Sequence, residues 1–257
     1  MIPDIYLYAI VDFLTIIFPL FLSFLPINPV YKKWRAIVPA ILIPGILFLF
    51  WDNLFASWGV WGFNQKYIIG IYFFHLPLEE VLWFICIPYA CIFSYEAVNY
   101  YFREDILNKK SVFFSVVIIF FLAVVGSLNY GRLYTSVTFF ALSIFLFFVQ
   151  WIWKPIFLGR FYLAFSFILI PFFIVNGVLT GTGIEEPIIW YNNDENLGIR
   201  IGTIPIEDIF YGMLLVLLNI SLFEFFQKKS VKTNSWRVLS YLGASQIRQL
   251  PHLWLIS

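Results

Sequence analysis

"LPLEE" at residues 76–80 and "IPIED" at 204–208 are one pattern met twice, 128 residues apart, and each opens a long apolar run. Pro77 pairs with Pro205, Glu79 with Glu207 and Glu80 with Asp208. The same shift pairs Asn64 with Asn192, Gly70 with Gly198, Trp83 with Tyr211, Glu96 with Glu224 and Tyr6 with Tyr134, and a shift of 127 pairs Pro44 with Pro171. Composition alone can generate apolar matches. Matches of Pro, Gly, Asn and acid at a single spacing mark a duplicated unit.

The whole chain of 257 residues is 61% hydrophobic, 22% aromatic and only 12% charged, with a mean hydropathy of +0.87. That composition belongs to an integral membrane protein. Seven apolar windows approach the roughly 20 residues that cross a bilayer: 4–25, 36–51, 77–99, 111–128, 133–153, 160–180 and 205–226. The expected fold is therefore an all-α bundle of seven transmembrane helices. A net charge of +1 gives no reason to expect nucleic acid. Cys86 and Cys91 share one apolar segment and read as core filler rather than as a disulfide or metal ligands. The start "MIPDIY" lacks the basic stretch of a cleavable signal, so the first span is expected to stay.

Counting spans orients the repeats. Helices 1–3 (residues 1–110) form one unit and helices 5–7 (129–229) the other, with helix 4 (111–128) linking them. An odd number of spans separates the units, so both enter the membrane in the same direction, as parallel repeats about an axis along the membrane normal. Residues 230–257 have no repeat partner and read either as an interfacial amphipathic helix or as a weakly ordered tail. With the N-terminus outside and the C-terminus in the cytoplasm, 13 of the 16 basic residues fall inside, the bias that sets topology in a cell membrane. Both acid pairs then lie on the outer side at equal depth. The Gly- and Asn-rich segments before them, 52–76 and 181–204, read as outer capping or re-entrant loops.

Locally, proline suits the first turn of a helix, and acids in the following turn suit the positive end of its dipole. Two such pairs facing each other across an apolar bundle carry a further implication. Adjacent buried carboxylates cannot all ionise, so a protonated and an ionised group are expected in one pocket. One turn below Glu79 stands Trp83, and one turn below Glu207 stands Tyr211. Aromatic faces stabilise a cation without attacking it. An acid and a base beside such walls suit protonation of a carbon–carbon double bond in a lipid-soluble polyene. His75 precedes the first motif and is placed to tune its proton. Asn64, Asn192 and Arg200 lie in the loops above the acids, where Arg200 is the one base near the second pair. Asp12 and Asn219 lie inside spans and are read either as interhelical hydrogen-bonding groups or as catalytic ones.

Together "LPLEE" (76–80), "NGVLTGTG" (176–183), "WYN" (190–192), "LGIRIGTIPIED" (197–208) and "NISLFE" (219–224) resemble the membrane-embedded lycopene cyclase domain family, over roughly residues 4–228. That family occurs as paired small bacterial subunits, as a fused single chain, and as the cyclase half of fungal bifunctional phytoene synthase/lycopene cyclase proteins. This chain is similar to the fused form. The resemblance implies an intramolecular lyase that isomerises the ψ-ends of lycopene to β-ionone rings through γ-carotene, with Glu79, Glu80, Glu207 and Asp208 as the catalytic carboxylates. It implies no cofactor and no metal, and no G-x-G-x-x-G fingerprint for a flavin or nicotinamide occurs. The implied partners are a polyene substrate and membrane lipid, with homo-oligomerisation left open. A proton-coupled transporter and a non-catalytic carotenoid-binding membrane protein are the alternatives. Against transport, the acids lie toward one face rather than at the midplane, and no matching helices are expected to be broken.

Overall fold

The computed structural model describes residues 3–241, with side chains placed as far as residue 229. Among the described residues seven helices are long and apolar enough to span a bilayer, and the chain is a multi-pass membrane protein. They are α1 (Leu7–Leu22), α2 (Trp34–Ser57), α3 (Leu78–Tyr101), α4 (Ser111–Leu128), α5 (Leu133–Phe147), α6 (Leu158–Leu179) and α7 (Ile206–Tyr241). A π-helical turn, Phe148–Trp153, extends α5. The backbone of α7 continues past residue 229, where the second unit was expected to end; the rest of the 230–257 tail reading lies outside the described residues.

The second span was expected at 36–51, yet α2 runs on to Ser57. Asp52 interrupts the apolar window without ending the helix. Its carboxyl group is buried and accepts the Tyr211 hydroxyl at 2.6 Å, so it is satisfied inside the bundle. Pro44 and Pro171 sit at matching positions in α2 and α6, and both helices run through them.

The two units interlock. Within each, the outer helix packs on the acid-bearing one, α1 on α3 and α5 on α7, while the middle helices are exchanged so that α2 packs on α7 and α6 on α3. α3 and α7 meet at the centre and α4 lies against α5. The exchange is not fully symmetric. α2 is applied closely to both α3 and α7, whereas α6 packs more closely on α3 than on α7. The looser side of the bundle holds the cavity described below.

Above the helices, the segments read as capping loops form short strands. β1 (Trp61–Phe63) pairs antiparallel with β4 (Ile189–Tyr191), with Gly62 opposite Trp190 at the middle of the register. Because these strands occupy equivalent positions in the two repeats, the pair straddles the pseudo-two-fold axis. Each repeat then forms a small hairpin, β2 (Tyr72–Phe73) with β3 (Leu76–Pro77) and β5 (Arg200–Ile201) with β6 (Ile204–Pro205). The turns use the left-handed region at equivalent residues, Phe74 (φ 55°) and Gly202 (φ 64°). Pro77 therefore ends a strand, with extended backbone, and α3 begins at Leu78. This corrects the expectation that the proline forms the first helical turn.

The loops are also tied across the repeats. Asn64 Nδ2 donates to Glu186 at 2.8 Å and Lys66 Nζ to Glu185 at 2.6 Å. That hydrogen bond from Lys66 holds the Glu185 carboxyl below its usual range. At the end of the bundle away from these loops Lys33 pairs with Glu96, and Tyr95 donates to Glu224 at 2.6 Å. The two matched glutamates thus anchor the opposite end of the bundle.

Candidate active site

Helices α3 and α7 each begin with two acids, and all four carboxyl groups are buried. The first acid of each pair turns toward its own loop. Glu79 Oε1 accepts the Ile69 N–H at 2.7 Å, and Glu207 Oε1 accepts the Leu197 N–H at 2.8 Å. The equivalence is complete at the backbone, since each donor lies ten residues before its acid. Glu207 receives one more bond, from Thr135 Oγ1 at 2.6 Å. The other oxygen of each glutamate is buried without a hydrogen-bond partner.

The second acid of each pair turns the other way. Glu80 and Asp208, one from each repeat, line a single cavity together with Trp83, Tyr211, Tyr134, Tyr191, Trp61 and Asp52. Its volume is about 1010 Å³ including the space at its open mouth. From the acids it follows α3 past Ile87, Ala90 and Cys91 to Ser94. That is fourteen helical rises, about 21 Å. The opposite wall comes from α6, with Ile168, Pro171, Phe172 and Val175, and from Leu215 and Val216 of α7. The lining is thus mostly apolar, and its carboxyl groups gather at the end capped by the strands.

Each of these two acids accepts a phenol from the outer helix of its own repeat. Tyr8 donates to Glu80 Oε2 at 2.5 Å and Tyr134 to Asp208 Oδ1 at 2.5 Å. The functional counterpart of Tyr134 is therefore Tyr8, whereas Tyr6, paired with it by the 128-residue shift, is 45% exposed. Helices α1 and α5 stand in a slightly different register from the rest of the repeat. Tyr191 adds a second bond to Asp208, at 3.0 Å on Oδ2. Burial, reinforced by the nearby Asp208, pushes the Tyr191 phenol well above its ordinary pKa, which keeps it a donor.

The rings form a continuous wall. Tyr134 stacks on Tyr191 with centroids 5.8 Å apart, and Trp61 meets Tyr134 edge-on at 5.1 Å and Tyr211 at 6.2 Å. Trp83, on the α3 side, has a buried indole N–H with no acceptor. Both aromatics read from the motifs thus face the cavity. The loop residues singled out in the sequence do not line it. His75 is exposed, with Asn53 Oδ1 3.1 Å from its ring. Asn64 and Asn192 each cap their own loop, accepting the N–H two residues on. Arg200 bonds Thr203 O at 2.8 Å and Asn193 Oδ1 at 3.0 Å, and its guanidinium lies 5.8 Å from the Tyr191 ring centre. It reaches the site only through that ring.

Asp12 is buried beside Tyr8 with both oxygens unpartnered, and Asn219 donates to Leu215 O within its own helix. Neither makes an interhelical side-chain hydrogen bond. Among the site groups that escaped the sequence reading are Asp52, Tyr191 and Tyr8. The available signal for Asp52 was an acid inside "LFWDNLF" that the flanking apolar residues carry past.

A family model described as lycopene cyclase matches residues 5–98 and again residues 131–226, once per repeat. No curated protein and no solved structure matches the chain.

Proposed function

The chain belongs to the lycopene cyclase family, and from that premise we propose that it is a lycopene β-cyclase, converting the ψ-ends of lycopene to β-ionone rings through γ-carotene. The observation that carries this reading is the convergence of Glu80 and Asp208, one from each repeat, on one apolar cavity walled by Trp83, Tyr134, Tyr191 and Tyr211.

The polyene end enters the cavity with its conjugated chain along the apolar wall of α3 and α6. A carboxyl group protonates the terminal double bond. The resulting tertiary cation is attacked by the neighbouring double bond, closing the six-membered ring and moving the charge to the next carbon. A carboxylate then removes a proton from the newly bonded ring carbon, which leaves the β-type double bond. One proton enters and one leaves, so the reaction is an isomerisation, an intramolecular lyase reaction that needs no electron acceptor. The aromatic wall stabilises the cation, by on the order of 0.5–2 kcal/mol per desolvated ring, and excludes water that would trap it as an alcohol. Within this scheme Glu80 and Asp208 do the proton chemistry. Glu79 and Glu207 position the loops that roof the cavity, and Arg200 supports Tyr191.

The basic-residue bias supports placing the acid-bearing end outside and the C-terminus in the cytoplasm of a cell membrane. The direct test is expression in lycopene-accumulating cells. The red pigment should give way to a product with a blue-shifted, less structured absorption spectrum. Persistence of lycopene beside correctly inserted protein would sink this function.

A further inference from the structure

Beyond the doubled motifs, the cavity holds a third carboxyl group, and it breaks the symmetry of the site. Glu80 and Asp208 receive the same bond from Tyr8 and Tyr134, but their second neighbours differ. Asp208 meets another phenol, Tyr191 at 3.0 Å. The residue equivalent to Tyr191 in the first repeat is Phe63, which has no hydroxyl. Glu80 instead shares the cavity wall with a second carboxyl group, that of Asp52, which itself accepts the Tyr211 hydroxyl at 2.6 Å. By the 127-residue shift that pairs Pro44 with Pro171 in the same two helices, the residue equivalent to Asp52 is Leu179, which has no polar side-chain group.

Counting protons over these partners separates the roles. Each hydrogen bond needs one hydrogen. Both bonds to Asp208 are supplied by phenols, so its carboxyl group is an acceptor on both oxygens and fits as the anion. Tyr8 and Tyr211 supply only one hydrogen each to the other two acids, and two carboxyl groups side by side in one apolar cavity bond each other only when one of them carries a proton. We propose that Asp52 shares one proton with Glu80 and that this pair protonates the polyene end, while Asp208, held by Tyr134 and Tyr191, is the base that removes the proton after ring closure. All three groups line the one cavity. The other acids nearby, Asp12, Glu79 and Glu207, do not line it, and the guanidinium of Arg200 lies over the ring of Tyr191, on the Asp208 side.

The cycle balances. The pair gives up its proton to the terminal alkene carbon and becomes doubly anionic, and Asp208 gains a proton from the ring carbon. When that proton passes back to the pair the site is reset, with no net uptake or release.

The inference rests on the cyclase reading, and isotope exchange separates the two. Membranes carrying the full chain are equilibrated in D₂O and supplied with lycopene, and both product and recovered substrate are weighed by mass spectrometry. The wild-type protein should give rings that each retain one deuterium. Asp208→Asn should lower ring formation by at least about 100-fold, while recovered lycopene becomes labelled, because the cation still forms and reverts. Asp52→Asn should lower ring formation to a similar extent and leave recovered lycopene unlabelled. Labelled lycopene from Asp52→Asn, unlabelled lycopene from Asp208→Asn, or near wild-type ring formation by either overturns the division of roles. Tyr211→Phe keeps every carboxyl group and removes only the bond to Asp52. It should slow ring formation about tenfold or more, and an unchanged rate overturns the proposal even if Asp52→Asn fails to accumulate. A wild-type protein that leaves lycopene untouched overturns the cyclase reading instead.

Discussion

Glu207 offers the sharpest separation of positioning from chemistry. Its Oε1 atom accepts both Thr135 Oγ1 and the Leu197 N–H, while Oε2 has no partner and neither oxygen lines the cavity. Truncation in Glu207→Ala leaves a buried hydroxyl and a part-buried amide without their acceptor. At roughly 1–3 kcal/mol for each unsatisfied group, the loss is about 2–6 kcal/mol, besides the cavity left behind. Glu207→Gln behaves differently. Its amide oxygen can occupy the Oε1 position and keep both bonds, with its NH₂ group where the unpartnered oxygen lies. Both acceptor bonds survive, so the loss is about 1 kcal/mol or less. Thermal stability of detergent-solubilised protein, followed by size-exclusion chromatography of heated samples, measures both variants. Glu207→Ala should melt far below the wild type and Glu207→Gln close to it, and the Gln variant should keep turnover within about tenfold, a change of about 1.4 kcal/mol. A Gln variant as unstable as Ala would refute the hydrogen-bond argument. A stable Gln variant without turnover would refute the assignment of Glu207 to positioning.

Other consequences can be checked separately. Gly62→Ala would drive a methyl group into the Trp190 indole at the centre of the β1–β4 pair, so it should lower the melting temperature and weaken catalysis together. Phe74 is 90% exposed and holds a left-handed conformation that costs a bulky residue roughly 1–2 kcal/mol. Phe74→Gly should therefore raise stability, by up to about 1 kcal/mol after the glycine's own entropy cost, in the same thermal assay. Cys91 lines the cavity, so bound carotenoid should protect it from a small apolar thiol reagent, as counted by mass spectrometry. Equal labelling with and without carotenoid would place the substrate elsewhere.

The sequence yielded the architecture because membrane spans and repeats both leave one-dimensional traces. Seven apolar windows became seven helices, and the matched Pro, Gly and acid residues became equivalent strands, turns and helix starts. The repeat was also the source of what was missed. Asp52 and Tyr191 correspond to Leu179 and Phe63 in the other repeat, so a search for matched residues passes over them. Tyr8 escaped for a different reason, since α1 and α5 are offset from the common shift and the alignment selects the exposed Tyr6. His75 was read into the site from its position beside "LPLEE", yet the hairpin turn at Phe74 carries it outward. Which acid of each pair faces the cavity depends on helix rotation, and the hydrogen bonds from Ile69 and Leu197 to the first acids fix that rotation.

The central claim is that two duplicated units build one site rather than two. Ring formation from lycopene by membranes containing Glu80→Gln or Asp208→Asn tests it most directly. A single shared cavity predicts that either substitution alone removes turnover by at least about 100-fold. Two independent half-sites would leave about half of the activity in each single variant, and that result would contradict the account.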